Sequence, residues 1–338
     1  METGKTSPKD IKSDNPLQAD SIKMGFYGAI DIGGTKTMVG IISKHGFILS
    51  ERCFATYTED SSTHFMDCRN HFNDCLDEID LTINDLDGVG INMPGMVDAS
   101  RGYLLQAPFA GWYDLDVKGF FSRMLDTDNI VVENDVNACA VGEMVFGDAS
   151  DNFLWITVST GIGGAVIIDR KIVYGGDSCA GEIGHVKVEY EHPAQCSCGQ
   201  WGCAEAHGSG TAITRMFAEK VRNDSLLTEM LAAKNLPVDA KSCSILAKEG
   251  NQTAVEIFNT AGKYIGRALS YAANLLNPQV IYIGGGVAES LELLLPAIRA
   301  EFKRTTVKQC ADIVITKTSS DYDAALMGAA ALVITKKF

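Results

Sequence analysis

The chain has no long apolar run, no excess of basic residues and no apolar stretch near its start. A membrane-spanning helix needs about 20 consecutive apolar residues, and no segment supplies them. Lys and Arg number 29 against 43 Asp and Glu, so the net charge is −14. A nucleic-acid surface needs clustered positive charge to displace counterions from phosphate. We therefore expect no membrane and no nucleic acid among the partners, and we favour small polar substrates.

Residues 1–24 are polar and lack the apolar core of a secretory signal. We interpret them as a disordered N-terminal extension and expect a cytoplasmic protein. The whole chain of 338 residues is 46% hydrophobic and 21% charged, which is typical of a globular protein of two domains.

Histidine is scarce, with six in the chain, and one of them precedes a group of three cysteines. His185, Cys196, Cys198 and Cys203 are the residue types, at the spacings, that hold zinc in a tetrahedral site. Four protein ligands leave no open position, so such a zinc is structural and folds a loop. Glu182 and the glutamate at position 205 flank this loop, and fixed carboxylates suit sugar hydroxyls.

A disulfide cluster is the alternative for these cysteines. A disulfide within Cys-X-Cys is strained, and no secretory signal precedes the cluster, so zinc is favoured. The other cysteines show no paired spacing and are expected to be reduced thiols.

Three glycine clusters each follow an apolar run. Asp31-Ile-Gly-Gly-Thr-Lys36 lies between two short apolar runs and predicts a hairpin, and residues 153–168 repeat the design around Thr160-Gly-Ile-Gly-Gly164. The repetition indicates an internally duplicated architecture. The third cluster, Gly284-Gly-Gly286, separates an apolar strand from a predicted helix. Each cluster alone is also typical of a simple turn, but their order favours contacts with phosphate, and Asp31 is placed to hold Mg²⁺ through water.

The apolar run 130–132 ends in Glu133-Asn134-Asp135-Val-Asn137, just before an alanine-rich helix. Asp135 is our candidate general base. A helix N-cap is the alternative role, which Asp and Asn both favour, and the two roles are compatible.

These segments together resemble one family. The resemblance rests on 31–36, on Asn92-Met-Pro-Gly95 with Asp98, on 133–138, 160–164 and 181–185, and on the cysteine segments and the triple glycine. This ordered set is similar to the ROK group, which comprises repressors, open reading frames and sugar kinases of the actin and hexokinase-like superfamily. It covers about residues 25–335.

The resemblance implies an α/β fold of two domains, actin/hexokinase-like and duplicated from a ribonuclease H-like unit, with a cleft between the domains. A small domain would span 25–137 and include a returning C-terminal helix at 321–338. A large domain, 138–320, would hold the zinc loop and the nucleotide site. A homodimer is expected.

The resemblance also implies an ATP-dependent sugar kinase that phosphorylates the 6-hydroxyl of a hexose, with glucose favoured. Asp135 would be the catalytic base, and one nitrogen of His185 would bind zinc while the other faces the sugar. Sugar contacts are implied for Gly95, Asn134, Asp135, Glu182, His185 and Glu205. Nucleotide contacts are implied for Asp31, Gly33, Gly34, Thr35, Lys36, Thr160, Gly161, Gly163, Gly164, Gly284, Gly285 and Gly286. The implied cofactors are ATP, Mg²⁺ and structural Zn²⁺.

Two positions depart from the glucokinase-like pattern. Phe109 stands where many members have an amide before Gly-Trp, so the hexose preference is open, and Met96 offers no hydrogen bond to an N-acetyl group. N-Acetylmannosamine, N-acetylglucosamine or another hexose are the alternative substrates, and polyphosphate is an alternative donor. A sugar-sensing repressor would carry a preceding helix-turn-helix domain, for which residues 1–24 are too few. A sugar-binding protein without catalysis is disfavoured because Asp31, Asp135 and the glycine clusters are all present.

Overall fold

The computed structural model describes residues 25–319 and 323–336. The predicted extension 1–24 and residues 321, 322, 337 and 338 of the predicted C-terminal helix lie outside the described residues.

The strands are β1 (Phe26–Ile32), β2 (Lys36–Ser43), β3 (Ile48–Ala55), β4 (Leu86–Met93), β5 (Met96–Asp98), β6 (Tyr103–Ala107), β7 (Trp112–Leu115), β8 (Ile130–Asn134), β9 (Phe153–Val158), β10 (Ile162–Ile168), β11 (Lys171–Ile172), β12 (Val280–Gly284) and β13 (Val314–Lys317). The α-helices are α1 (Ser61–Glu78), α2 (Val117–Leu125), α3 (Asp135–Phe146), α4 (Ala204–Gly208), α5 (Gly210–Arg222), α6 (Ser225–Ala233), α7 (Ala240–Lys248), α8 (Gln252–Leu276), α9 (Leu291–Thr305) and α10 (Ala324–Thr335).

Two five-stranded sheets have the same topology. The first has the order β3-β2-β1-β4-β8 and the second β11-β10-β9-β12-β13. In each, three antiparallel strands are followed by two strands parallel to the central one. The predicted hairpins are confirmed as β1–β2 and β9–β10, and the predicted duplication is visible strand by strand. A third, three-stranded antiparallel sheet, β5-β6-β7, follows the end of β4.

The central strands are apolar on both faces because helices cover both faces. Helices α1 and α2 pack on one side of the first sheet, and α10 packs on the other against β1, β2 and β4. Helix α3 leaves the first sheet at β8 but packs on β9 and β10 of the second. The two sheets are therefore joined through the helix pair α3 and α10.

Small residues let this helix pair approach closely. A methyl group on Gly328 of α10 would collide with the backbone of Ala138 in α3, and one on Gly90 of β4 would collide with the backbone of Ala329. Backbone contact of this kind requires glycine at both positions. The predicted limits of the two domains, 137/138, fall inside α3 and remain a prediction.

Helix α8 precedes the third glycine cluster, and α9 follows it. The helix expected to open directly at Gly284–Gly286 begins later, at Leu291, because a short 3₁₀ turn over Gly286–Ser290 comes first. Among the helices of 25–319 and 323–336, none has the length and apolar character needed to cross a membrane.

Candidate functional site

The carboxyl ends of β1, β4 and β8 meet at one edge of the first sheet. Asp31 lies opposite Asn92 in the β1–β4 pairing, and Met93 lies opposite Asn134 in the β4–β8 pairing. Ligands of open α/β sheets commonly bind at such an edge. The structure thus gathers there the acidic residues that the sequence singled out, together with the turn at Gly95.

Asn134 fixes the geometry of this edge with both ends of its amide. Its Oδ1 accepts hydrogen bonds from the N–H groups of Val136 (2.9 Å) and Asn137 (3.1 Å), and so caps α3. Its Nδ2 donates to Asp135 Oδ1 (3.0 Å) and to the carbonyl of Gly95 (3.1 Å). The alternative role of Asp135 as the helix cap is therefore wrong, because Asn134 already fills it. The Asp135 carboxylate is held in place at the start of the helix.

The electrostatics of the edge favour proton uptake by its carboxylates. Loss of hydration on burial raises the pKa of Asp135 to about 6, opposed by nearby N–H donors and Asn134 and assisted by the negative charge of Glu182. Burial, followed by the negative charge of Asp135, raises the pKa of Asp31 to about 7, while Lys36 opposes the rise. A divalent cation would relieve this excess of negative charge, and carboxylate oxygens are ligands that Mg²⁺ prefers. The residues present fit a magnesium ion here.

The zinc ligands proposed from the sequence converge in space. One ligand atom from each of His185, Cys196, Cys198 and Cys203 lies within 4.8 Å of the others. Cys198 Sγ is 3.8 Å from Cys203 Sγ, and Cys196 Sγ is 3.6 Å from His185 Nδ1. A tetrahedral zinc with ordinary bond lengths has S···S edges of about 3.8 Å and N···S edges of about 3.6 Å. Two edges of the cluster therefore match the dimensions of a zinc site, and its residue types fit zinc.

The disulfide alternative has no support, since every cysteine of the chain, all within the described residues, has a free thiol. The separation of Cys198 and Cys203 is also far beyond a bonded sulfur pair of about 2.05 Å. Lys187 Nζ donates to Cys203 Sγ at 3.1 Å. Three thiolate ligands would carry more negative charge than one zinc ion neutralises, and the lysine ammonium would offset the excess.

His185 has one nitrogen on each side of the loop. Nδ1 faces the cysteine cluster, and Nε2 lies 3.8 Å from Glu182 Oε2. This is the arrangement that the predicted two-sided role of His185 requires.

Glu205 connects the zinc loop to the β9–β10 turn. Its Oε1 accepts from the hydroxyl of Ser197 (2.7 Å), and its Oε2 accepts from the N–H of Ile162 (3.1 Å). Ser197 was missed from sequence, although it lies between two predicted ligands, because spacing alone does not show where a hydroxyl points.

The remaining glycine clusters lie at the carboxyl edge of the second sheet. Gly284 pairs with Thr157, so 284–286 lies beside the turn at 160–161. Gly285 has φ +90°, a conformation that favours glycine. A methyl group on Gly163 would lie 2.9 Å from Val136 Cγ2, so the first turn of α3, next to Asp135, packs directly on β10. Helix α3 thus brings the acidic edge of the first sheet to the glycine edge of the second.

Sequence reasoning also missed the support of Glu133. This buried side chain accepts from Tyr174 Oη (2.7 Å), Asn137 Nδ2 (3.1 Å) and the N–H of Asn134 (2.9 Å). Burial raises its pKa. Glu133 therefore anchors the segment that carries Asp135.

The family model of the ROK family matches residues 27–336.

The chain belongs to the ROK family.

The resemblance drawn from its motifs is confirmed. The glucokinase of Halalkalibacterium halodurans is 30% identical over 296 residues, which cover 85% of this chain and 88% of that protein. The crystal structure of a ROK family glucokinase from Streptomyces griseus in complex with glucose and AMPPNP has 30% identity and a TM-score of 0.80, and the match covers 92% of this chain and 100% of that one. The predicted two-domain actin-like fold is confirmed by this match. The xylose repressor of Bacillus spizizenii is 32% identical over 218 residues, covering 64% of this chain and 52% of the repressor.

Proposed function

We propose that this ROK chain is an ATP-dependent hexose kinase that transfers phosphate to the 6-hydroxyl, with glucose as the favoured sugar. The observation that carries the proposal is the Asp135 carboxylate, held by Asn134 beside Gly95. The glucokinase relatives, one of them in complex with glucose and AMPPNP, support the choice of sugar and donor.

Asp135 would act as the general base. It would accept the proton of the sugar's 6-hydroxyl as the oxygen attacks the terminal phosphate of ATP. Phosphoryl transfer has a loose transition state with little charge on the attacking oxygen, so positioning matters more than basicity. The hydrogen bond from Asn134 and the rigid first turn of α3 supply that positioning. A base with a pKa of about 6 is ionised at neutral pH and ready to take the proton.

Glu182, His185 and Glu205 would hold the sugar hydroxyls, and the zinc loop would fix their directions. Zinc here would supply rigidity and orient the imidazole of His185. Nucleotide contacts are proposed at 31–36, 160–164 and 284–286, where backbone N–H groups can face phosphate oxygens without side chains in the way. Asp31 would hold Mg²⁺ through water, and that cation would neutralise charge on the phosphates.

A homodimer in the cytoplasm is proposed with this function. The finer choice among hexoses rests on Phe109, which is 41% exposed near the turn at Gly34 and takes the place of an amide. A repressor role is less supported, because a net charge of −14 disfavours binding to nucleic acid.

The test is ADP release coupled to NADH oxidation, with MgATP and a panel of glucose, mannose, fructose, allose, N-acetylglucosamine and N-acetylmannosamine. Each sugar is run against a blank without sugar. Highest kcat/KM for glucose, with phosphate at carbon 6 by NMR of the product, supports the proposal. Turnover with none of the sugars, in protein whose zinc is verified by elemental analysis, rejects the kinase proposal and favours a sensor.

A further inference from the structure

A buried histidine lies behind the first glycine turn, and none of the proposed catalytic roles uses it. His64 on α1 is 0% exposed, as is Thr37 on β2. The rings of Phe54 and Trp112 are each centred 5.8 Å from the imidazole, and Cys68 Sγ lies 3.7 Å from Nε2. A polar side chain so deeply enclosed is kept only if its hydrogen bonds are made.

These hydrogen bonds form a continuous chain to the turn. The N–H of Tyr57 lies 3.3 Å from His64 Nδ1, and His64 Nε2 lies 2.9 Å from Thr37 Oγ1. Thr37 Oγ1 lies 2.9 Å from Thr56 Oγ1, which donates to the carbonyl of Gly33 at 2.7 Å.

The direction of the chain is fixed from both ends. The Gly33 carbonyl only accepts, so the single proton of the Thr56 hydroxyl goes to Gly33 and Thr56 must accept from Thr37. The proton of Thr37 is then used as well, so Thr37 accepts from His64 Nε2–H. At the other end the N–H of Tyr57 only donates, which requires an unprotonated Nδ1. Both ends demand the same neutral tautomer of His64, and burial lowers the pKa of this histidine, which keeps it neutral.

The end of the chain orients one peptide group. The carbonyl of Gly33 and the N–H of Gly34 belong to the same planar peptide and point in opposite directions. The hydrogen bond from Thr56 holds the Gly33 carbonyl pointing toward Thr56, so the Gly34 N–H points away from Thr56. The backbone of Thr56 holds the same turn a second time, since its N–H donates to the carbonyl of Thr35 at 3.1 Å. Gly34 itself is exposed.

We propose that Thr56 is a positioning residue for the nucleotide, backed by Thr37 and His64, and that it aims the Gly34 N–H at a phosphate oxygen. This inference rests on the proposed kinase function. The three residues touch neither substrate. They act by removing the freedom of the turn to rotate its peptide, so their loss affects nucleotide binding and leaves sugar binding unchanged.

The test compares Thr56→Val, which keeps the shape and removes the hydroxyl, with Thr56→Ser, which keeps the hydroxyl. In the full-length zinc-loaded protein, Thr56→Val is expected to raise KM for MgATP about 3- to 10-fold, with KM for the sugar unchanged. Calorimetric Kd for MgADP should rise by a similar factor, and Thr56→Ser should stay within about twofold of the wild type. The same comparison is made at Thr37, which donates to Thr56, with Thr37→Val and Thr37→Ser. These two variants serve as the test if Thr56→Val does not fold.

The inference is overturned by an unchanged nucleotide affinity in both valine variants. It is equally overturned if serine is as harmful as valine, or if sugar and nucleotide constants rise together. The calorimetric measurement needs no sugar turnover, so it separates this inference from the kinase proposal. A wild type that binds MgADP but phosphorylates no sugar would reject the proposed function alone, whereas a wild type that binds no nucleotide would reject both.

Discussion

The raised pKa of Asp135 makes a quantitative prediction about activity at low pH. Burial raises this pKa to about 6 from an ordinary value of 3.8. A general base must be ionised to accept a proton, so activity is expected to fall as pH falls through 6. An unperturbed carboxylate would lose activity only near pH 4.

The expected magnitude follows from the ionised fraction. With a pKa of about 6, Asp135 is about 90% ionised at pH 7, half ionised at pH 6 and about 10% ionised at pH 5. The value of kcat/KM should therefore drop about tenfold between pH 7 and pH 5. With the ordinary pKa the same interval would change the rate by less than about 10%.

The assay is kcat/KM for the sugar at saturating MgATP, measured from pH 5 to 8 at constant ionic strength. The contribution of Asp31 to the pH profile has to be separated from that of Asp135, because the pKa of Asp31 is raised to about 7. Its carboxylate would bind Mg²⁺, so any decline due to Asp31 should move to lower pH as free Mg²⁺ is increased, whereas the decline due to Asp135 should move less. Asp135→Asn should lower turnover by a factor on the order of 100 with little change in sugar affinity. The pH dependence of the activity that remains in Asp135→Asn shows any titration that arises from the nucleotide and not from Asp135.

A profile that is flat from pH 7 to 5, or a decline that persists unchanged in Asp135→Asn, would refute the assignment of this pKa to the base. Near-normal turnover in Asp135→Asn would remove Asp135 from the chemistry altogether. Glu182→Gln offers a finer check, since removal of its negative charge should shift the decline to lower pH.

Cys198→Ser, compared with Cys53→Ser outside the cluster, should lose one equivalent of zinc by elemental analysis and weaken sugar binding at least tenfold while Kd for MgADP changes little; full zinc content with unaltered sugar affinity would contradict the site. Ser197→Ala should raise KM for the sugar about 2- to 5-fold, and Ser197→Thr should restore it, because the hydroxyl holds Glu205; equal effects of both would speak against that role. Asp135→Asn should also raise the melting temperature at pH 7, because a folded-state pKa above the unfolded one lowers stability once both states are ionised; this gain over the wild type should shrink as pH falls from 6 toward 4, and a gain that grows in that window would contradict the sign. Phe109→Asn should change the ratio of kcat/KM for glucose to that for mannose by at least threefold; an unchanged ratio would exclude Phe109 from sugar choice.

Much of the fold and site could be predicted from sequence because the informative residues are local in the chain. The β1–β2 and β9–β10 hairpins follow from glycines flanked by apolar runs, and the zinc ligands from spacing within 19 residues. The convergence of the four zinc-ligand atoms could therefore be predicted without knowledge of contacts between distant parts of the chain.

Other features depend on contacts far apart in sequence. The chain from His64 through Thr37 to Thr56 joins α1, β2 and the end of β3, and no periodicity marks a threonine as a donor to a turn. The sequence could not decide whether Asn134 or Asp135 caps α3, because both residue types cap helices well. The bond from Ile162 N–H to Glu205 spans 43 positions and appears only when the loop is folded.

The exchange of helices between the two sheets bears on how the protein is synthesised. The first sheet is covered on one face by α10, so Tyr27, Ala29, Met38 and Ile42 share a buried cluster with residues of 324–335. About 190 residues separate the end of β8 from this helix, which is roughly 10 to 40 seconds of translation. Throughout that interval a nascent chain would present an apolar sheet face to the ribosome's surroundings. From this connectivity we expect folding during translation to depend on chaperones, and we expect loss of the last helix alone to destabilise the first sheet.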